Sequence, residues 1–161
     1  MEQYRRKIKE VAAHTEVIKK LQTQGKRVVF TNGCFDLLHI GHARYLYDAR
    51  QQGDYLIVAV NSDSSVKRLN KGDERPIVSE EQRMEMIAAL EFVDAVALFD
   101  EDTPYEIVKE LVPDVIVKGG DWKEDEIIGS DIVIAAGGKV KSLPFVDGFS
   151  TTDIVNKLKC S

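Results

Sequence analysis

Short apolar runs, alternating with stretches patterned for helix, constrain this chain more than any other feature. Residues 55–60 read Tyr-Leu-Ile-Val-Ala-Val, without the regular polar alternation of a half-exposed strand, as expected for a strand covered on both faces. Residues 28–30, 95–99, 115–117 and 140–143 are read as strands too, giving five candidates in all. The helical stretches between them announce their starts. Residues 41–52 place Ala43, Leu46 and Ala49 at helical spacing. Ser79-Glu80-Glu81-Gln82 spells a capping box ahead of Met84, Ile87, Ala88 and Leu90. Thr103-Pro104-Tyr105-Glu106 combines an N-cap, a proline at the first helical position and an acidic first turn. A helix over 128–136 stops at Gly137-Gly138, and Ser150 caps a last helix over 151–158. Ahead of the first strand, residues 5–24 read as one or two helices, with a break at His14-Thr15 and a stop at Gly25.

Strands alternating with helices predict an α/β fold, a Rossmann-like doubly wound five-stranded parallel sheet with right-handed crossovers. Residues 26–161 form one domain in this reading, with residues 1–25 a helical segment packed on it. At 161 residues the chain is long enough to bury a core. Its two cysteines cannot make a disulfide scaffold. No apolar run approaches the ~18 residues of a membrane span. The start, Met1-Glu2-Gln3-Tyr4-Arg5, shows no signal peptide, so a cytoplasmic protein with no membrane partner is expected. A net charge of -5 argues against a broad nucleic-acid face and leaves room for a local basic site.

In such a sheet, ligands gather at the carboxyl ends of the strands, near the point where strand order reverses. The first strand runs into Thr31-Asn32-Gly33-Cys34-Phe35-Asp36-Leu37-Leu38-His39-Ile40-Gly41-His42. No Gly-x-Gly-x-x-Gly follows any strand, and no Gly-x-x-x-x-Gly-Lys-Ser/Thr occurs. Instead, two histidines three residues apart flank a glycine at a predicted helix N-terminus, where N–H groups and the dipole favour an anion. Gly41 admits a phosphate close to the backbone, and two imidazoles can donate to its oxygens as charge builds. Read blandly, such a histidine is a cap, and a pair is half a zinc site. With only His14 left over, a metal centre is not expected. Asp36 equally suits a turn cap, and Cys34 a small buried apolar side chain.

Other strand ends carry similar alternatives. Asn61-Ser62-Asp63 either reaches a sugar or phosphate or caps a turn into residues 64–69. Lys118-Gly119-Gly120-Asp121-Trp122 either admits a base and ribose, with Trp122 beside an adenine, or makes a tight turn under a tryptophan lid. Ser150-Thr151-Thr152 is a second phosphate cradle or a simple cap. Any one lysine or arginine has the default reading of a solvated surface charge.

The run FTNGCFDLLHIGHARYL, over residues 30–46, resembles the H-x-G-H nucleotidyltransferase superfamily of cytidylyltransferase-like folds. Within it, the chain is most similar to the heptose 1-phosphate adenylyltransferases of lipopolysaccharide-core precursor synthesis. GDYLIVAVNSDSSVKRLNKGDERPI, LFDEDTPYEIVKELVPDVIVKGGDW and AAGGKVKSLPFVDGFSTTDIV continue that similarity in order. Related cytidylyltransferases carry an arginine where this chain has Phe145, which favours adenylyl over cytidylyl transfer. The resemblance implies that a sugar phosphate oxygen attacks the α-phosphate of ATP in line and pyrophosphate leaves, with Mg²⁺ bridging triphosphate oxygens. It implies a catalytic set of His39, His42, Arg83 and Lys71, the first pair at the attacked phosphorus and Arg83 facing the triphosphate. It implies nucleotide contacts from Thr31, Asn32, Gly33, Cys34, Phe35, Asp36, Gly41, Lys118, Gly120, Asp121, Trp122, Ser150, Thr151 and Thr152. Asn61, Asp63, Lys67 and Arg75 fall to the acceptor. A homodimer is expected, with the apolar N-terminal helix a candidate contact, and a heptose kinase upstream as a separate polypeptide. Two other readings stay open: transfer to another phosphorylated acceptor (glycerol 3-phosphate with CTP, or FMN with ATP), and a nucleotide sensor without turnover.

Overall fold

A computed structural model describes residues 2–69, 72 and 74–144. Lys71, Phe145, Ser150, Thr151, Thr152 and the helix expected over 151–158 lie outside the described residues. Among the described residues, five strands form one parallel sheet: β1 (Val28–Gly33), β2 (Tyr55–Asn61), β3 (Ala95–Phe99), β4 (Val115–Gly119) and β5 (Lys139–Leu143). Their order is β3-β2-β1-β4-β5, so the chain first builds leftward from β1 and then restarts on its other side. Rossmann-like doubly wound topology follows, and its reversal lies between β1 and β4.

The continuous apolar run of β2 has a direct explanation. Ile57 and Ala59 enter one core with Ile18, Phe30, Ile107 and Leu111. Leu56, Val58 and Val60 enter the other with Leu46, Ala49, Ile87 and Val117. Each Val, Leu, Ile or Phe among these contributes ~1.5–3 kcal/mol when fully buried, so both faces need apolar residues and the usual alternation disappears. Helices α1 (Val11–Thr23), α5 (Tyr105–Leu111) and α6 (Ser130–Ala135) cover the first face, while α2 (Ile40–Arg50) and α4 (Glu80–Ala88) cover the second. A short α3 (Asp63–Arg68) follows β2.

Several local expectations need correction. The N-terminal break falls at Ile8, between a 3-10 turn (Gln3–Lys7) and α1, and not at His14-Thr15. Ile8 pairs with Val96 there and Lys9 N–H donates to Val96 O at 3.2 Å, covering the open edge of β3. His14 stays within α1, with Nε2 2.9 Å from the same carbonyl. Ile18 lies in the chain's own core, with Val11 and Leu21 packed against it. Gly25 does end α1, at φ +76°, with its N–H on Gln22 O and the next N–H on Leu21 O, a Schellman cap. Helix α4 starts after Ser79, yet the serine side chain makes no cap bond. Glu80 of its first turn instead accepts from the Asp63 amide at 2.7 Å, capping α3. Pro104, not Thr103, is the N-cap of α5. Helix α6 begins at Ser130 because Gly129 turns at φ +86°, where a Cβ would stand 2.8 Å from Val108.

A repeated device fixes the amino edge of the sheet. Asp54, Asp94 and Asp114 each precede a strand and accept an amide at or just before the start of the adjacent strand: Arg27, Leu56 and Val28 respectively, all at 2.8 Å. The carboxyl edge is built differently, and it carries the site.

Candidate active site

Beyond Gly33 the chain leaves β1 through a loop with two left-handed non-glycine residues, Phe35 at φ +50° and Leu37 at φ +57°. Such conformations cost on the order of 1–3 kcal/mol each and survive only where neighbours over-determine them. The neighbours are charged. Asp36 is 1% exposed, accepting from the Ile77 and Val78 amides at 3.0–3.1 Å, with Arg75 Nε 2.6 Å away as an ion pair without hydrogen-bond alignment. Arg83, also 1% exposed, lies behind the loop. Its guanidinium donates to the carbonyls of Val78, Cys34 and Asn61 and to Asp63 Oδ1 at 2.8 Å. One buried cation thus ties together the ends of β1 and β2 and the start of α4.

The loop delivers the chain to α2 through a reciprocal cap made by two imidazoles. Gly41 N–H donates to His39 Nδ1 at 3.1 Å, and His39 N–H donates to His42 Nδ1 at 3.3 Å. Both Nδ1 atoms are therefore acceptors, so in the neutral rings the proton sits on Nε2. The rings stack at 3.8 Å between centroids, and Phe35 meets His42 edge-on at 5.5 Å. Burial pushes the His39 pKa down, and burial together with the nearby His39 takes His42 down to about 4. The pair thus presents neutral N–H donors at neutral pH, suited to phosphate oxygens without a permanent charge.

These elements surround a cleft of about 380 Å³ lined by Asn32, Gly33, Cys34, Phe35, Asp36, His42, Tyr45, Arg75, Lys118, Gly119 and Trp122. It sits over the β1/β4 reversal, where ligands of such sheets are expected. Tyr45 forms its floor, with Oη 2.7 Å from Thr31 Oγ1 and donating to Val117 O at 3.2 Å. Burial pushes its phenol up to about 12. Across the cleft, Trp122 is 47% exposed, its indole N–H on Gly119 O at 3.0 Å and its amide on Ser142 Oγ. A second cavity of about 240 Å³ opens beyond the shared residues Asn32, Gly33, Cys34, Lys118 and Trp122, adding Asn61, Asp102, Thr103, Glu126 and Ile128 among others.

The expected residues thus divide. Asn32, Gly33, Cys34, Phe35, Asp36, His42, Arg75, Lys118 and Trp122 line the first cleft, and His39 stacks on its His42. Gly41 is buried in the first turn of α2, where its amide is capped by the His39 side chain. Gly120 turns at φ +110° with its amide on Leu143 O, a position that favours glycine. Thr31 is fully buried beneath the floor, engaged with Tyr45. Asp63 and Arg83 are engaged with each other, Asn61 donates to Ser65 Oγ and lines the second cavity, and Lys67 and Asp121 are exposed away from both. Sequence reasoning missed Tyr45, three residues beyond His42 on α2, although helical spacing placed both on one face. It also left out Asp102 and Thr103, which lie in a segment read only as a helix start, and Glu126, which no local motif marks.

The Cytidylyltransferase-like family matches residues 30–157 of the chain. Bifunctional protein HldE of Geotalea uraniireducens is 51% identical over 153 residues, covering 95% of this chain and 31% of that protein. HldE of a Nitratiruptor species is 54% identical over 143 residues, 89% of this chain and 30% of the relative. The chain therefore spans about a third of the length of these curated relatives. Among solved structures, the lipopolysaccharide core biosynthesis protein of Thermoplasma volcanium superposes with a TM-score of 0.62 at 33% identity, over 76% of this chain and 98% of that one. A pantoate-beta-alanine ligase of Francisella tularensis, at 15% identity and a TM-score of 0.60, covers 94% of this chain and 76% of its own, and shares the fold alone. With the matched residues spanning both the histidine cap and the Lys118–Trp122 wall, the chain belongs to the cytidylyltransferase-like family.

Proposed function

We propose that this chain transfers AMP from ATP to D-glycero-β-D-manno-heptose 1-phosphate, giving ADP-heptose and pyrophosphate. The observation that carries the reading is the reciprocal cap of His39 and His42, which fixes two neutral Nε2–H donors beside a cleft at the sheet reversal. The acceptor's identity is supported by about 50% identity to HldE proteins and by a relative described as a lipopolysaccharide core biosynthesis protein.

In the proposed step an acceptor phosphate oxygen forms a bond to the α-phosphorus as the bond to the bridging α,β-oxygen breaks, and pyrophosphate departs. No proton need be abstracted from an ionised phosphate, so positioning and charge stabilisation carry the chemistry. His42, with His39 stacked on it, donates to oxygens around the attacked phosphorus. Arg75 and Lys118 supply positive charge at the same cleft. Arg83 serves as a positioning residue, holding the carbonyls of Cys34 and Asn61 while the strained loop presents its amides. Trp122 offers a flat surface for the adenine. A divalent cation, Mg²⁺ in this reading, would enter with the triphosphate. Its chemistry is to neutralise the departing pyrophosphate. No helix among the described residues is long and apolar enough to cross a membrane.

The test is direct. The protein is incubated with ATP or CTP, Mg²⁺ and a panel of phosphorylated acceptors, and pyrophosphate release is followed. Turnover with ATP and the heptose phosphate is expected. Activity confined to CTP, or to an alcohol phosphate or FMN, would replace the acceptor assignment, and ATP binding without turnover on any acceptor would point to a sensor.

A further inference from the structure

Two cavities share one wall at the reversal of the sheet, and they differ in charge and size. The first, about 380 Å³, adds His42 and the Arg75–Asp36 ion pair to the shared Lys118, and among the described residues its one carboxylate, Asp36, is 1% exposed and committed to Arg75 and two amides. The second, about 240 Å³, is lined by exposed carboxylates, Asp102 and Glu126, with Asn61 and Thr103 as further polar groups and Ile128 on an apolar wall. Arg68 holds Asp102 through Oδ1 at 2.6 Å, and Lys123 approaches Glu126 only to 3.8 Å. Oxygens of both carboxylates thus remain as acceptors. A polyphosphate placed against them would meet like charge, whereas carboxylates are strong acceptors for hydroxyl donors. The volume falls below the ~300–1,000 Å³ usual for drug-sized ligands and suits a single sugar ring.

Resting on the function proposed above, we infer that the second cavity is the acceptor's sugar site and that Asp102 and Glu126 read its hydroxyls. The triphosphate then occupies the first cavity. Lys118, on the wall common to both, stands where the acceptor's phosphate meets the α-phosphate. Asn61 and Thr103 are the remaining polar contacts for the ring, and Ile128 packs on its C–H face. Selection among phosphorylated acceptors falls to residues that never touch ATP.

The experiment compares wild type, Ile128→Trp and Asp102→Asn. Ile128 is 45% exposed and lines only the second cavity, so the larger ring fills space without entering the core. With D-glycero-β-D-manno-heptose 1-phosphate as acceptor, each variant should raise the acceptor KM roughly 10-fold or more. The Kd for ATP, measured calorimetrically without acceptor, should stay within about twofold. His42→Ala should give the opposite pattern, weakening ATP with little change in acceptor binding to the ATP-free protein. An unchanged acceptor KM in Ile128→Trp, or an ATP Kd that rises in step with it, overturns the assignment. Should wild type turn over a different phosphorylated acceptor instead, the heptose reading fails, while the same variants assayed on that acceptor still decide the cavity assignment. Failure of every panel acceptor to bind wild type by calorimetry, with ATP present, overturns both.

Discussion

The two edges of the sheet use the same residue types for opposite ends. At the amino edge, Asp54, Asp94 and Asp114 sit partly exposed and accept amides at 2.8 Å from ordinary extended chain. At the carboxyl edge, Asp36 and Arg83 are 1% exposed and hold a loop containing two left-handed non-glycine residues. The first arrangement adds a hydrogen bond wherever a strand begins. The second submerges charge in order to keep a costly backbone in place, and the beneficiaries are His39 and His42 at the loop's end. Strain and buried charge together mark the edge that works on a ligand.

The largest effect that would break this contrast lies at Arg83. Arg83→Leu removes the donor to three carbonyls and to Asp63. Stripping one partner from such a buried network costs ~3–5 kcal/mol, so chemical denaturation should show a drop of that order. Arg83→Lys should recover part of it and depress kcat more than the KM for ATP, because the loop shifts while the cleft's own donors remain. A loss below about 1 kcal/mol in Arg83→Leu would mean that the carboxyl edge does not depend on its buried charge.

His42→Ala sharpens the contrast from the other side. Removing a donor aimed at developing charge costs ~10²-fold or more in turnover, about 2.7 kcal/mol. The helix loses only one half of a reciprocal cap, so thermal unfolding should move little. Turnover near the wild-type rate would remove His42 from the mechanism and reduce the pair to a helix cap.

The sequence made the fold legible wherever one segment held the whole signal. The run 55–60 could serve only a strand with two cores, and Gly25 marked a helix end that no later contact altered. Long-range pairing defeated the same reasoning at the N-terminus: the break belongs to Ile8 because Val96, far along the chain, pairs with it. At the site, the histidine spacing on a helix start disclosed the cap, since both partners lie within four residues. Arg83 stands beside Met84 on a helix striped with Met84, Ile87, Ala88 and Leu90, but its spacing could not say where its fork turns. Its acceptors are carbonyls of Cys34, Asn61 and Val78, brought together only by the sheet. The second cavity was invisible for the same reason, being assembled from the ends of β1, β2 and β4 with the approaches to α5 and α6. The aspartate before β2, β3 and β4 is a repeated local pattern that could have been read as an amino-edge device.

Asp114 tests that device. Its Oδ2 accepts from Val28 N–H at 2.8 Å and from Gln22 Nε2 at 3.1 Å. Asp114→Ala should cost ~1–3 kcal/mol, the price of a poorly satisfied amide at a strand start, and leave the KM for both substrates unchanged. A change in either KM would couple the amino edge to the site and blur the distinction between the edges. Asp114→Asn, which keeps an oxygen for Val28, should lose less.

The smallest effect separates the edges by pH. His42 is held neutral, with its pKa lowered from 6.5 to about 4 by burial and by its neighbour His39. In the unfolded chain the same imidazole takes up a proton near its ordinary value, so below that point the unfolded state binds more protons and stability rises with pH. The contribution is fully present above pH ~6.5 and is lost as pH falls through the interval down to about 4. Partial exposure of the ring limits the effect at pH 5 to about 1 kcal/mol, or ~2–4 °C in Tm for a chain of this size. His39 and His14 are shifted in the same direction, so the measurement is a difference: Tm against pH for wild type minus that for His42→Ala. The wild type should lose more than the variant between pH 7 and 5, and the two curves should run parallel above pH 7. Parallel curves throughout would show that His42 is not held neutral by the fold, and the pair would then meet ATP as cations that an acidic medium strengthens.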